Sequence, residues 1–156
     1  MSKRGFIVVG STGSVGTQAL DVLAEHRDEH AIVGLAAGSQ LDLLLDQALD
    51  FHVPVIGLTT PPAGGETEVR ARLTELAAER GITDPVDAIH LGVDAAEAVA
   101  RLAADMVLNA ITGAAGLGAT LAALERGTDV ALANKESLII GGSIVLDAAR
   151  VSGARL

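Results

Sequence analysis

Two short stretches carry residue types that can do chemistry. The first is Gly10-Ser11-Thr12-Gly13-Ser14-Val15-Gly16. Glycines at three-residue spacing let main-chain N–H groups approach an anion, and the Thr12 and Ser14 hydroxyls can reach phosphate oxygens. Gly10 suits a tight turn, Gly13 the close approach of backbone to phosphate, and Gly16 the close packing of a helix on a sheet. The second is Asn134-Lys135-Glu136, an amide, an ammonium and a carboxylate in succession. The Lys135 ammonium suits an anionic or hydroxyl-bearing substrate, while Asn134 and Glu136 suit hydrogen bonds to a cofactor. The plainer reading of Lys135 and Glu136 is a solvated charge pair at a helix start, which is nearly inert.

The elements around these stretches give them meaning. Phe6-Ile7-Val8-Val9 is short, apolar and free of polar alternation, as a buried parallel strand requires. Val15, Ala19, Leu20, Val22 and Leu23 fall on one helical face after the glycines. Strand, glycine turn and helix in that order make a dinucleotide-binding βαβ start, with the pyrophosphate at the helix N-terminus. Further strands are predicted over 31–37, 53–58, 88–91, 105–111 and 129–133. Pro54 places the third near a sheet edge or delays its start. Helices are predicted from the spacing of Leu41, Leu44, Leu45, Ala48 and Leu49, and of Val69, Leu73, Leu76 and Ala77 up to Gly81. Others follow over 95–102, with Asp94 as N-cap, over 117–126 and over roughly 142–150. A strand–helix unit repeated about six times predicts an α/β fold: a Rossmann-like, doubly wound, mostly parallel sheet with helices on both faces. The chain reads as one domain over residues 1–156. The linker-like stretch, 59–65, is too short to divide it.

Composition narrows the function. The chain carries a formal charge of −9, has no Trp or Tyr and only 2 Phe. It lacks both the basic field and the stacking platforms of a nucleic-acid binder, and the charge disfavours anionic membranes. With 0 Cys there is no disulfide, thiolate metal site or cysteine nucleophile. His26, His30, His52 and His90 are scattered and lack metal-ligand spacing. The N-terminus runs Met-Ser-Lys-Arg straight into the first strand, and its apolar stretch is too short for a signal h-region or a membrane span, so a cytoplasmic protein is expected.

The second strand bears on the cofactor. A ribose-binding carboxylate is expected about 20 residues beyond the glycine turn. This chain has Gly38-Ser39-Gln40 there, and Asp42 lies further on. An acid would repel a 2′-phosphate, so its absence favours NADPH over NADH. Ser39, Gln40 and the amides of 38–40 can hydrogen-bond a phosphate, although no Arg or Lys stands in the segment. Ligands in such folds sit beyond the carboxyl ends of the strands. The glycine-rich 109–116 stretch and the 134–136 stretch both follow predicted strands. Both are expected to face the same crevice as the glycine turn.

The glycine turn followed by Leu20-Asp21-Val22, then Gly113-Ala114-Ala115-Gly116-Leu117, Thr120-Leu121-Ala122-Ala123 and Leu132-Ala133-Asn134-Lys135-Glu136-Ser137-Leu138, together resemble the N-terminal NADPH-binding domain of the 1-deoxy-D-xylulose 5-phosphate reductoisomerase family. The resemblance runs over essentially the whole chain. It implies an enzyme that rearranges 1-deoxy-D-xylulose 5-phosphate, by retro-aldol cleavage and re-addition, to a branched aldehyde phosphate. NADPH then reduces the aldehyde to 2-C-methyl-D-erythritol 4-phosphate, for isoprenoid synthesis by the non-mevalonate route. It implies that Thr12, Gly13, Ser14 and Val15 hold NADPH, that Gly38, Ser39 and Gln40 lie by its adenosine end, that Asn134 and Glu136 contact it, and that Lys135 reaches the phosphorylated sugar. It implies a divalent metal, Mg or Mn, and a homodimer. Many members carry Lys where this chain has Ser39-Gln40. The family's metal carboxylates, in a Pro-Val-Asp-Ser-Glu-His stretch, and its substrate domain and lid are expected beyond residue 156. This part alone is therefore expected to bind cofactor and do little chemistry. Semialdehyde dehydrogenases open on a similar glycine turn but need a cysteine nucleophile. A stand-alone NADP-binding sensor is the non-enzyme alternative.

Overall fold

A computed structural model describes residues 3–133 and 135–156 of the chain. Six strands alternate with six helices: β1 (Arg4–Val9), α1 (Ser14–Glu25), β2 (His30–Ala37), α2 (Leu41–Phe51), β3 (Val55–Leu58), α3 (Gly65–Arg80), β4 (Ala88–Leu91), α4 (Ala95–Ala100), β5 (Met106–Asn109), α5 (Leu117–Glu125), β6 (Asp129–Leu132) and α6 (Lys135–Ser152). A 3₁₀ turn, Ala114–Gly116, leads into α5. The strands form one sheet in the order β4-β3-β2-β1-β5-β6, and every pairing is parallel. Rossmann-like architecture is thus the observed fold.

Successive residues of β1 point to opposite faces, which explains its unbroken apolar run. Val8 packs with Leu20 of α1, Leu44 and Leu49 of α2 and Leu73 of α3. Ile7 and Val9 pack on the other side with Val99 of α4, Ala123 and Leu124 of α5 and Val145 of α6. The sheet is therefore sandwiched between α1–α3 and α4–α6. Fully burying one such Leu is worth about 1.5–3 kcal/mol.

Chain reversal in strand order occurs between β1 and β5. β1 is followed outward by β2 on one side, and by β5 on the other. The carboxyl ends of the two strands diverge there and leave a crevice. Because all strands are parallel, the exit of β6, which leads to Lys135, opens on the same rim as the glycine turn, two strands away from β1.

The structure corrects several details. Of the two effects expected of Pro54, the delayed start is the one that holds most directly: β3 begins at Val55 rather than 53, one residue after the proline, and lies beside the edge strand β4. The last helix begins at Lys135, not near 142. It bends at Gly142, where φ 10° and ψ −95° interrupt the helical backbone, so sequence periodicity registered only its second half. Val15 and Val22 are 46% and 60% exposed, while Gly16 and Leu20 form the buried face of α1. The helix after Asp94 stops at Ala100, and Asp94 occupies the N-cap without a side-chain capping bond.

The crevice wall formed by α4 depends on small residues beneath it. A Cβ on Gly57 of β3 would lie 2.9 Å from the Ala95 carbonyl oxygen and 2.9 Å from Val99 Cγ2. A Cβ on Gly34 of β2 would lie 2.8 Å from Val99 Cγ1. Gly57→Ala is therefore expected to overpack this contact and cost about 1–3 kcal/mol, read as a lower urea midpoint at unchanged slope. An unchanged midpoint would contradict this seating of α4.

Candidate functional site

At the exit of β1 the chain turns through Gly10, whose φ is +82°. A Cβ there would lie 2.7 Å from the Ala110 carbonyl carbon and 2.8 Å from the Ile111 nitrogen. Both the backbone conformation and the space thus require glycine, because the exits of β1 and β5 nearly touch. Gly16, the third residue of α1, is required by space alone: a Cβ would lie 2.2 Å from the Gly10 carbonyl oxygen. The turn is tied to its neighbours by main-chain bonds. Gly10 N–H and Ser11 N–H both donate to Ala36 O, at 2.8 and 3.0 Å, and Ala110 N–H donates to Val9 O at 2.9 Å.

α1 starts with an uncapped N-terminus. Gly13 is the N-cap, no side chain caps it, and no acid stands in the first turn. The first-turn N–H groups lack intrahelical acceptors, and the helix dipole places about half a positive charge beside them. This is an anion-binding end built from backbone alone, which suits a chain of net charge −9.

In front of it lies a cleft of about 350 Å³. Thr12, Gly13, Ser14 and Val15 of the turn line it, with Gly38 from the end of β2, Thr59 and Thr60 after β3, and Ala110, Ile111 and Thr112 after β5. Ala96 of α4 closes one side. The lining is mostly small and apolar with a few hydroxyls, as ligand clefts of this size usually are. Ser39 and Gln40 lie outside it, in an adjoining groove with Asp42 and Arg72. Glu75 and Asp42 bond the Arg72 guanidinium, at 2.6 and 3.1 Å, and together hold its charge more firmly than usual. Lys135 and Glu136 begin α6 on the same rim but do not line the cleft. Asn134 lies outside the described residues.

Sequence reasoning missed the residues that hold the loops still. Asn109 is fully buried; its Nδ2 donates to Gly116 O at 2.7 Å and Thr120 Oγ1 at 2.8 Å, and its Oδ1 accepts from Ile111 N–H at 3.1 Å. One amide side chain therefore shapes the whole stretch after β5. Buried Gln47 of α2 donates through Nε2 to Ser11 O at 2.9 Å, clamping the glycine turn from 36 residues away. A glutamine amid Leu44, Leu45, Ala48 and Leu49 was the signal available in the sequence for this clamp. Thr59 and Thr60, in what reads as a plain linker, donate their N–H groups to Ala37 O and Gly38 O at 3.0 and 2.8 Å and so join the cleft wall.

Fold, switch point and uncapped glycine turn define a dinucleotide-binding-type Rossmann domain. Comparison with known proteins narrows the class. Residues 6–142 match the family profile of 1-deoxy-D-xylulose 5-phosphate reductoisomerase. The reductoisomerase of Cutibacterium acnes is 46% identical over 144 residues, covering 92% of this chain and 35% of that protein. The crystal structure of the Zymomonas mobilis enzyme in complex with NADPH superimposes with a TM-score of 0.84 at 35% identity, over 99% of this chain and 38% of that one. A reductoisomerase structure with NADPH, fosmidomycin and magnesium aligns with a TM-score of 0.79 at 33% identity, over 97% of this chain and 35% of that one. The chain belongs to the 1-deoxy-D-xylulose 5-phosphate reductoisomerase family, and spans about a third of the length of the curated relatives it matches.

Asn109→Ala would remove three hydrogen bonds at once, to the Gly116 carbonyl, the Thr120 hydroxyl and the Ile111 N–H, while the Thr120 hydroxyl keeps its bond to Gly116 O at 3.2 Å. A typical hydrogen bond contributes about 0.5–1.5 kcal/mol net, so losing three is expected to cost about 2 kcal/mol or more of stability in urea unfolding. A loss below about 0.5 kcal/mol, the range of ordinary surface changes, would contradict the organising role of Asn109.

Proposed function

We propose that this chain is the NADPH-binding part of a 1-deoxy-D-xylulose 5-phosphate reductoisomerase, acting in isoprenoid synthesis by the non-mevalonate route. The observation that carries the reading is the cleft at the β1/β5 switch point, where Thr12, Gly13, Ser14 and Val15 meet the exits of β2 and β5. The residues fit the cofactor: Gly10 and Gly16 leave no room for side chains, and the N-terminus of α1 offers N–H groups without an acid beside them. Bound NADPH supplies a hydride to the aldehyde formed by rearrangement of the sugar phosphate.

The chain's own residues bind and orient. The α1 N-terminus and the Thr12 and Ser14 hydroxyls hold the pyrophosphate, and Val15, 46% exposed at the cleft, packs on the cofactor. Gly38, Ser39 and Gln40 flank the adenosine end. Glu136 contacts the cofactor from the β6 side, and Lys135, exposed on the same rim, reaches the phosphorylated sugar; Asn134, outside the described residues, is assigned to the cofactor by the family resemblance alone. Among the described residues no group of three or more His, Cys, Asp or Glu could hold a metal ion. The divalent metal, Mg or Mn, is accordingly proposed to be held by other residues of the assembly. No described helix is long and apolar enough to cross a membrane; a cytoplasmic homodimer is part of the same proposal.

Titration of the chain with each reduced cofactor tests it. NADPH is expected to bind measurably and more tightly than NADH, because no acid ends β2. NADH binding equally or more tightly would contradict the assignment. The chain has no Trp or Tyr, so the fluorescence of the nicotinamide can be followed without protein background.

A further inference from the structure

The groove beside the cleft contains a cation that no local reading of the second strand detects. Gly38 lines the cleft, and Ser39, its next neighbour in the chain, lines the groove. Arg72 reaches this place from α3, across from α2. Its Nε donates to Asp42 Oδ1 at 3.1 Å and its Nη1 to Glu75 Oε2 at 2.6 Å, while Nη2 has no partner among the described residues. The side chain is 41% exposed. We propose that Arg72 reads the 2′-phosphate of the dinucleotide and thereby sets a preference for NADPH over NADH; this rests on the proposed function above.

The ribose 2′-position of a dinucleotide on this fold lies at the end of the second strand. There an acid selects the 2′-hydroxyl and an arginine accommodates the phosphate. This chain places neutral Ser39 and Gln40 at that point, and Arg72 is the one cation among the residues lining the groove. The other charged residues lining it are the carboxylates Asp42 and Glu68; Glu75 meets Arg72 from within α3. Asp42 and Glu75 are engaged by Arg72, and Glu68 accepts the Gly64 N–H at 2.9 Å. Two of the guanidinium nitrogens are thus held by carboxylates, which fixes the plane of the fork and leaves the third nitrogen to meet a phosphate oxygen. Removing Arg72 would leave the phosphate beside Asp42 and Glu68, the two acids lining the groove, without a counter-charge. A cofactor lacking the phosphate would not register the change.

The plainer reading is an exposed ion-pair clip between α2 and α3, of little consequence for stability and indifferent to the cofactor. Titration of wild type, Arg72→Ala and Arg72→Gln with NADPH and NADH separates the two. Both variants are expected to bind NADPH about tenfold or more weakly than wild type, the loss of one charge-assisted contact, with NADH affinity within about twofold. Intact NADH binding also reports that the variants are folded. NADPH affinity within about twofold of wild type, or equal losses for both cofactors, would overturn the role of Arg72 while leaving the proposed function standing. Wild-type chain that binds neither cofactor would overturn the proposed function, and this inference with it.

Discussion

The structure depends on a single close approach. At the switch point the backbone leaving β1 passes so near the backbone leaving β5 that a methyl group on Gly10 would lie 2.7 Å from Ala110. Parallel strands force their connections to leave from the same rim, and the reversal of strand order forces two of those connections apart in opposite directions. The crevice is therefore a consequence of topology. Its use is a consequence of the glycines, which let α1 start deep in the crevice with bare N–H groups pointing outward.

Two buried amides keep the approach in register. Asn109 ties the β5 exit to the start of α5, and Gln47 ties the glycine turn to α2. Neither lines the cleft. Both are buried polar groups placed where the backbone has left regular structure and needs partners for its N–H and C=O groups. The anion-binding end thus rests on one side chain from the helix layer, Gln47 of α2, and one from the sheet, Asn109 of β5. This is how a strongly acidic chain can offer a local positive site without a basic surface.

Much of this was legible in the sequence. The order of strands and helices, the glycine turn and its helix, and the family resemblance all came from short-range signals: apolar runs, 3.6-residue spacing, glycine punctuation. The parallel, doubly wound sheet follows from that order alone. What escaped was non-local or depended on backbone detail. The first half of α6 is hidden because Gly141 and Gly142 interrupt its pattern and because Leu138, Ile139 and Ile140 are exposed, so no apolar face forms. Pro54, by contrast, was legible: proline lacks an N–H for the ladder, and β3 begins just after it, beside the edge strand β4. Arg72 lies 30 residues beyond Asp42, and only the packing of α3 against α2 brings the two together. Thr59 and Thr60 read as linker because their role is in main-chain bonds, which leave no mark on residue type.

The whole reading turns on where a dinucleotide lies on this sheet. Amide NMR of the isotope-labelled chain, recorded as NADPH is added, locates it residue by residue. The largest shifts are expected on residues 12–16, 38–40 and 110–112, the carboxyl rim around the β1/β5 exits. Shifts concentrated instead at the opposite rim, around Lys3, His30 and His52, would contradict this placement.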